Sequence, residues 1–162
     1  MDKIFSAADI LMPKNVNMEA WSVVACDQHT SDKDYWNKLR DLVGEKLSTL
    51  NLIVPEAFLQ NDVENLIARA NENMIKVLNF GNLQEFKNSL IYVERSLSNG
   101  KIRKGIVGKI DLENYSINML DNAKIKPSEQ IVESRVPTRI KIRKNASLDL
   151  PHILLFCDDK NK

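Results

Sequence analysis

SLIYVERSLSNGKIRKGIVGKIDL, residues 89–112, sets two runs of apolar and charged residues on either side of Ser98-Asn99-Gly100. Asn-Gly between such runs is the strongest short-range signal for a β-hairpin, because glycine enters the left-handed backbone region without a steric penalty. The stretch predicts a pair of antiparallel strands and makes the second half of the chain hairpin-rich. Toward the N-terminus the texture changes. WSVVAC (21–26) is apolar on both faces and reads as an interior strand, and LNLIV (50–54), closed by Pro55, reads as a second. Between them Tyr35, Trp36, Leu39, Leu42, Val43 and Leu47 recur at helical spacing, with Ser31 as N-cap and Asp32 and Asp34 at the positive end of the dipole. From Asp62 a second helix carries Val63, Leu66, Ile67, Ala70, Met74, Val77 and Leu78 as one stripe and ends at Gly81.

Toward the C-terminus, RVPTRIKIRK (135–144) alternates Arg139, Lys141 and Arg143 with Ile140 and Ile142. Alternation of period two predicts a strand with three cations on one face. HILLFC (152–157) reads as a buried strand that stops at Asp158-Asp159. The fold class is therefore α+β: a strand-helix-strand-helix first half, then an antiparallel hairpin-rich second half, with the strands in a mixed sheet. Neither a repeat nor a low-complexity linker interrupts the chain, so 1–162 reads as a single domain.

Composition narrows the function. The 162 residues are 43% hydrophobic and 28% charged, as in folded soluble proteins, and the net charge of +1 provides no global field for nucleic acid or an anionic membrane. No apolar run reaches the roughly 20 residues that span a bilayer. The N-terminus lacks a basic segment followed by an apolar one, and Cys26 and Cys157 make no disulfide framework, so the expected compartment is the cytoplasm.

Three places carry chemistry. In VVACDQHTS (23–31), Cys26-x-x-His29 is half of a metal site, but only His152 and Cys157 remain as comparable ligands, and no metal is assigned. Asp27, Gln28, Thr30 and Ser31 lie instead at a strand-to-helix corner, where free N–H groups favour anions; the competing reading is a plain helix cap. IKPSEQIVESRVPTRIKIR (125–143) gathers Lys126, Ser128, Glu129, Arg135, Arg139, Lys141 and Arg143. Such cations clamp phosphate or carboxylate; the competing reading is a solvated strand face. Asp158-Asp159 suits Mg²⁺ or a polar strand end.

Taken in order, ADILMPK (8–14), WSVVACDQHTS (21–31), STLNLIVPE (48–56), IYVERSLSNGKIRKGIVGKIDLENY (91–115) and VPTRIKIRKNASLDLPHILLFCDD (136–159) resemble the bacterial and archaeal family called domain of unknown function 1015, in its branch with an ACDQxTS segment. Similar proteins are longer and carry a later Asp-Gly-(Asn/His)-His segment, like the phosphate loops of ParB/sulfiredoxin-like proteins, some of them ATP-dependent small-molecule kinases. The resemblance thus implies that this chain is the N-terminal part of a longer architecture. Where relatives have Arg-x-Thr-Glu-Gly-Thr, this chain has Lys126-Pro127-Ser128-Glu129-Gln130-Ile131, which keeps the cation, hydroxyl and carboxylate but not the glycine. His29 stands where tyrosine is usual.

The leading expectation is a cytoplasmic domain binding a phosphate- or nucleotide-bearing small molecule, kinase-like by analogy only. Asp27, Gln28, Thr30 and Ser31 would form one wall; Lys126, Ser128, Arg135, Arg139, Lys141 and Arg143 would contact the anion. Glu129 would be a general base or the partner of a nucleotide-bound Mg²⁺. The rival expectation is a non-catalytic module that docks a further part of the chain or forms a homo-oligomer. The near-neutral charge counts against nucleic acid as partner.

Overall fold

The computed structural model describes residues 4–23, 29–60, 62–118, 120–150 and 153–156. They fall into two compact units: Met1–Lys14 with Gly81–Glu133, and Asn15–Phe80 with Ser134–Lys162. The first is called the ribbon unit and the second the helical unit.

The helical unit grows from the amphipathic stripes. Helix α1 (Met18–Trp21) is capped by Asn17, whose side chain accepts from the Ala20 N–H, and buries Ala20 and Trp21. Helix α2 (Lys33–Val43) starts at Asp32, whose carboxylate accepts the Tyr35 N–H at 3.0 Å, one residue beyond the expected Ser31 cap. It buries Trp36 and Val43 and ends at Gly44 with φ +54°. Helix α3 (Val63–Asn79) buries Ile67, Ala70, Met74 and Val77, and Gly81 follows it in the left-handed region. Burial every third or fourth residue is what the sequence stripes require. Trp36, Val43, Leu50 and Ala57 form one buried cluster.

None of the four strands expected in this unit is seen among the described residues. Of residues 50–54, Leu50–Leu52 lie in a 3-10 turn, Thr49–Leu52, and 53–54 have no regular structure; the turn is fixed by the buried Ser48 hydroxyl, which accepts the Leu50 N–H at 3.1 Å. A local cap satisfied that backbone and removed the need for a ladder. Of the 21–26 strand, Trp21 closes α1 and Ser22 and Val23 have no regular structure; 24–26 lie outside the described residues. The 139–143 strand is instead helix α4 (Val136–Lys144), with Pro137 in its first turn. Proline presets the helical φ there, and Arg and Lys are good helix formers, so alternation with isoleucine did not prevail. Residues 153–156 are unpaired and exposed, Ile153 at 76% and Phe156 at 81%, where a buried strand was expected. No described strand lies beside them to supply a ladder.

The ribbon unit contains three antiparallel pairs: β1 (Phe5–Ser6) with β6 (Lys109–Ile110), β2 (Ala8–Pro13) with β3 (Leu83–Ser89), and β4 (Ile91–Ser96) with β5 (Ile102–Val107). The α+β class holds, but the strands form separate ribbons rather than one mixed sheet, with an isolated parallel bridge between Tyr115 and Ile125 among the described residues. The predicted hairpin is β4–β5. Its turn closes with the Leu97 N–H on the Lys101 carbonyl at 2.8 Å and Gly100 at φ +78°, a three-residue loop with a left-handed glycine. Among the described residues of this unit only Ile125 is a buried hydrophobic. No described helix is long and apolar enough to cross a membrane.

Candidate functional site

The approach to α2 is held by ring and backbone contacts. The His29 ring stacks on Tyr35 at 3.8 Å, and the His29 carbonyl accepts the Trp36 indole N–H at 2.8 Å. His29 Nδ1 stands 3.6 Å from an Asp32 carboxylate oxygen, outside hydrogen-bond reach. Asp32 is held below the usual carboxylate range, chiefly by the Tyr35 N–H it caps. Thr30 and Ser31 therefore do lie at a helix N-terminus; Asp27 and Gln28 lie outside the described residues.

One turn on, Lys33 and Arg40 project from the same face of α2, seven residues apart. Together with Gln60 and Asp62 they line a cleft of about 200 Å³, floored by Ala57, Phe58 and Leu66. The Arg40 guanidinium lies 4.0 Å above the Phe58 ring, a contact that leaves its edge N–H groups available. Asp62 turns the chain into α3 through a left-handed backbone, φ +55°, and accepts from Asn65 at 2.7 Å. Among the described residues neither Lys33 nor Arg40 has a carboxylate partner. These two and Gln60 were missed by sequence reasoning; the only available signal was the seven-residue spacing of two cations on a helix face.

The expected anion contacts behave differently. Arg135 pairs with Glu56 at 3.2 Å, Lys141 with Glu64 at 2.7 Å and Arg143 with Asp149 at 2.8 Å. Only Arg139 of the four lacks an ion pair among the described residues. As a helix, the segment sets Arg135, Arg139 and Arg143 at four-residue intervals along one side and turns Lys141 away, in place of the expected shared strand face. Glu56 begins the 3-10 turn Glu56–Phe58 and Glu64 lies in the first turn of α3. The α4 cations thus brace both ends of the segment that floors the cleft.

Lys126, Ser128 and Glu129 belong to the ribbon unit. Lys126 is spent on its own loop: its ammonium donates to the Asn118 carbonyl at 2.7 Å, to the Asp121 carbonyl at 2.9 Å and to the Asp121 carboxylate. Ser128 and Glu129 are exposed. The Lys126 contact, helped by Ser116 and the Ala123 N–H, draws Asp121 down to about 2. A carboxyl so depressed stabilises the fold above its unfolded pKa of about 3.9, and that contribution is lost as pH falls toward 2. The amide of Ile125, which donates to Asn114 at 2.9 Å, is expected to stay protected from hydrogen exchange at pH 5 and lose protection near pH 2. Equal protection at both pH values would contradict the assignment.

Among the described residues no three His, Cys, Asp or Glu side chains converge as metal ligands. Cys26, His152, Cys157, Asp158 and Asp159 lie outside them. A family model described as protein of unknown function (DUF1015) matches residues 6–162. No curated protein and no solved structure matches the chain.

Proposed function

The chain belongs to the DUF1015 family of proteins of unknown function, and from that premise we propose that its helical unit binds a small anionic molecule in the cleft beside α2. The observation that carries this reading is a pair of cations, Lys33 and Arg40, that have no ion-pair partner among the described residues and line, with Asp62, a cleft over the apolar floor of Ala57, Phe58 and Leu66. A carboxylate or phosphate group would sit between the ammonium and the guanidinium, with Gln60 as a neutral donor and the apolar part of the ligand against Phe58. Arg donates in a fixed fork that matches such groups. At about 200 Å³ the cleft is smaller than the roughly 300–1,000 Å³ of typical ligand pockets and takes a small anion or the charged end of a larger ligand. Thr30 and Ser31 precede Lys33 in the chain but do not line the cleft, while Arg135 and Lys141, paired with Glu56 and Glu64, would support the floor without touching ligand. The kinase reading implied by the resemblance adds ATP and Mg²⁺ to this picture, with Arg139, which has no ion pair among the described residues, as a further cation.

Thermal unfolding with inorganic phosphate, citrate, or ATP with Mg²⁺ tests the reading. A ligand that binds only the native state at 100 times its Kd adds about 2.7 kcal/mol. The melting temperature is expected to rise with at least one of the three, and Arg40→Ala to abolish the rise while Arg143→Ala preserves it. No rise with any of them at millimolar concentration rejects the proposal; a rise with ATP and Mg²⁺ alone favours the kinase reading.

A second reading is favoured by the ribbon unit. Two-stranded ribbons are marginal in water unless their apolar faces are covered, and here Ile125 is the single buried hydrophobic among the described residues of the unit. On this reading the unit is a docking scaffold.

A further inference from the structure

The register of β4–β5 assigns its side chains to two faces. Tyr92 pairs with Ile106, Glu94 with Lys104 and Ser96 with Ile102; the intervening pairs are Ile91 with Val107, Val93 with Gly105 and Arg95 with Arg103. Successive residues of a strand point to opposite sides, so the first three pairs share one face. The Tyr92 hydroxyl confirms it by donating to the Glu94 carboxylate at 3.0 Å. On this face Tyr92 is 59% exposed, Ile106 59% and Ile102 54%.

We propose that this face of β4–β5 binds the same face of a second copy of the chain. The argument rests on charge complementarity. A two-fold axis parallel to the strands, lying between two facing ribbons, sets β4 of one copy over β5 of the other. Glu94 then meets the second copy's Lys104, and Lys104 its Glu94. The same operation sets Tyr92 over Ile106 and Ile106 over Tyr92 at one end of the charged centre, and Ser96 over Ile102 at the other, so apolar surface covers apolar surface at the Tyr92 end. Self-complementarity of this kind is what an isologous interface requires. The reverse face lacks it: Arg95 opposite Arg103 would bring four guanidinium groups together. Within one copy Glu94 and Lys104 form no ion pair, and Glu94 accepts only the neutral Tyr92 hydroxyl on one oxygen, so its charge is left for the second copy's Lys104.

The inference rests on the docking reading of the ribbon unit and names its partner. Six side chains per copy make an interface below the roughly 1,200 Å² of stable complexes. The dimer is accordingly weak, with a Kd on the order of 100 μM. Sedimentation velocity on the whole chain from about 10 μM to 1 mM, concentrations that bracket such a Kd, tests it. The weight-average mass is expected to climb toward that of two chains. Glu94→Lys and Lys104→Glu each set like charges across the axis and should weaken association at least about tenfold. The double variant E94K/K104E restores opposite charges and should recover it. A chain that stays monomeric throughout, single variants that associate as the parent does, or a double variant that fails to recover would each overturn the proposal. If a charge reversal unfolds the ribbon, Ile102→Ser gives an independent readout, since unchanged association there also overturns it. Hydrogen exchange separates this inference from the reading beneath it. A monomer whose 81–133 amides exchange much faster than those of 15–80 rejects the second copy and leaves the scaffold in need of another partner; equal protection rejects both.

Discussion

Trp36→Ala is expected to cost about 3–5 kcal/mol, the range for removing a buried aromatic from a packed core. Trp36 is 3% exposed and shares a cluster with Val43, Leu50 and Ala57, with Val23, Tyr35, Leu39, Ile53 and Phe58 packed around it. Its removal opens a cavity and also withdraws the indole N–H from the His29 carbonyl. For a unit of this size each kcal/mol lowers the melting temperature by roughly 4–8 °C, so the drop should be at least about 12 °C. The exposed ion pairs of α4 are worth at most about 1 kcal/mol each, and the Arg40 contact with Phe58 no more. The core therefore decides stability in this unit. Trp36→Phe, which keeps most of the bulk, should recover much of the loss. Thermal unfolding followed through Trp21 fluorescence reads the effect, and a drop below about 3 °C, well under what one kcal/mol produces, would mean that this cluster is not the core.

The same cluster ties stability to the proposed site. Ala57 belongs to it, Phe58 packs against it, and both floor the cleft. A core variant such as Trp36→Ala should thus weaken ligand binding without touching the ligand. Arg40→Ala should weaken it with little change in unliganded stability, and that separation identifies Arg40 as a contact.

Legibility in the sequence followed how local each determinant was. Helices α2 and α3 could be read because their buried residues repeat along a single segment. The β4–β5 hairpin could be read because Asn99-Gly100 marks its turn. Strand β3, LQEFKNS, carries no apolar alternation; its conformation is set by pairing with β2, seventy or more residues away. Strand preference of that kind resides in the partner. Helix α4 misled because Ile140 and Ile142 alternate with cations, while Ile140 is 59% exposed and contributes no core-facing stripe. At the site, the sequence marked the residue types but not their partners. Glu56 and Glu64, which occupy Arg135 and Lys141, lie 79 and 77 residues distant. The cleft itself depends on the 3-10 turn Glu56–Phe58 and the left-handed Asp62, neither of which has a periodic signature. Nothing in the sequence therefore sets Lys33 and Arg40 apart from other surface charges.

Gly108→Ala should disrupt the ribbon unit while leaving the helical unit folded. A Cβ at this position would stand 2.6 Å from the Ser6 carbonyl oxygen, 2.7 Å from Phe5 Cζ and 2.8 Å from Leu90 Cδ2. The Phe5 and Leu90 side chains are partly exposed and can swing aside. Ser6 cannot, because its backbone is paired with Lys109, and Phe5 with Ile110, in the two-residue β1–β6 ladder. Relief requires the ladder to open, which also strains the Asp111 N–H bond to the Ile4 carbonyl at 2.9 Å. Overpacking of this sort costs about 1–3 kcal/mol, a large share for a unit with one buried hydrophobic among its described residues. Amides 109–111 should lose hydrogen-exchange protection while the near-ultraviolet signal of Trp21 and Trp36 is unchanged. Gly105→Ala, three residues earlier, is the control: its Cβ would meet nothing within 4 Å, its φ is not in the left-handed range, and it lies on the face away from Tyr92 and Glu94. Replacing a strand glycine in open space removes conformational entropy from the unfolded chain, so Gly105→Ala should be neutral or stabilising by up to about 1 kcal/mol. If both substitutions behave alike, backbone propensity rather than the Ser6 contact governs this ribbon. If they diverge as expected, the close approach of β1 to Gly108 is what holds the N-terminal strand in place.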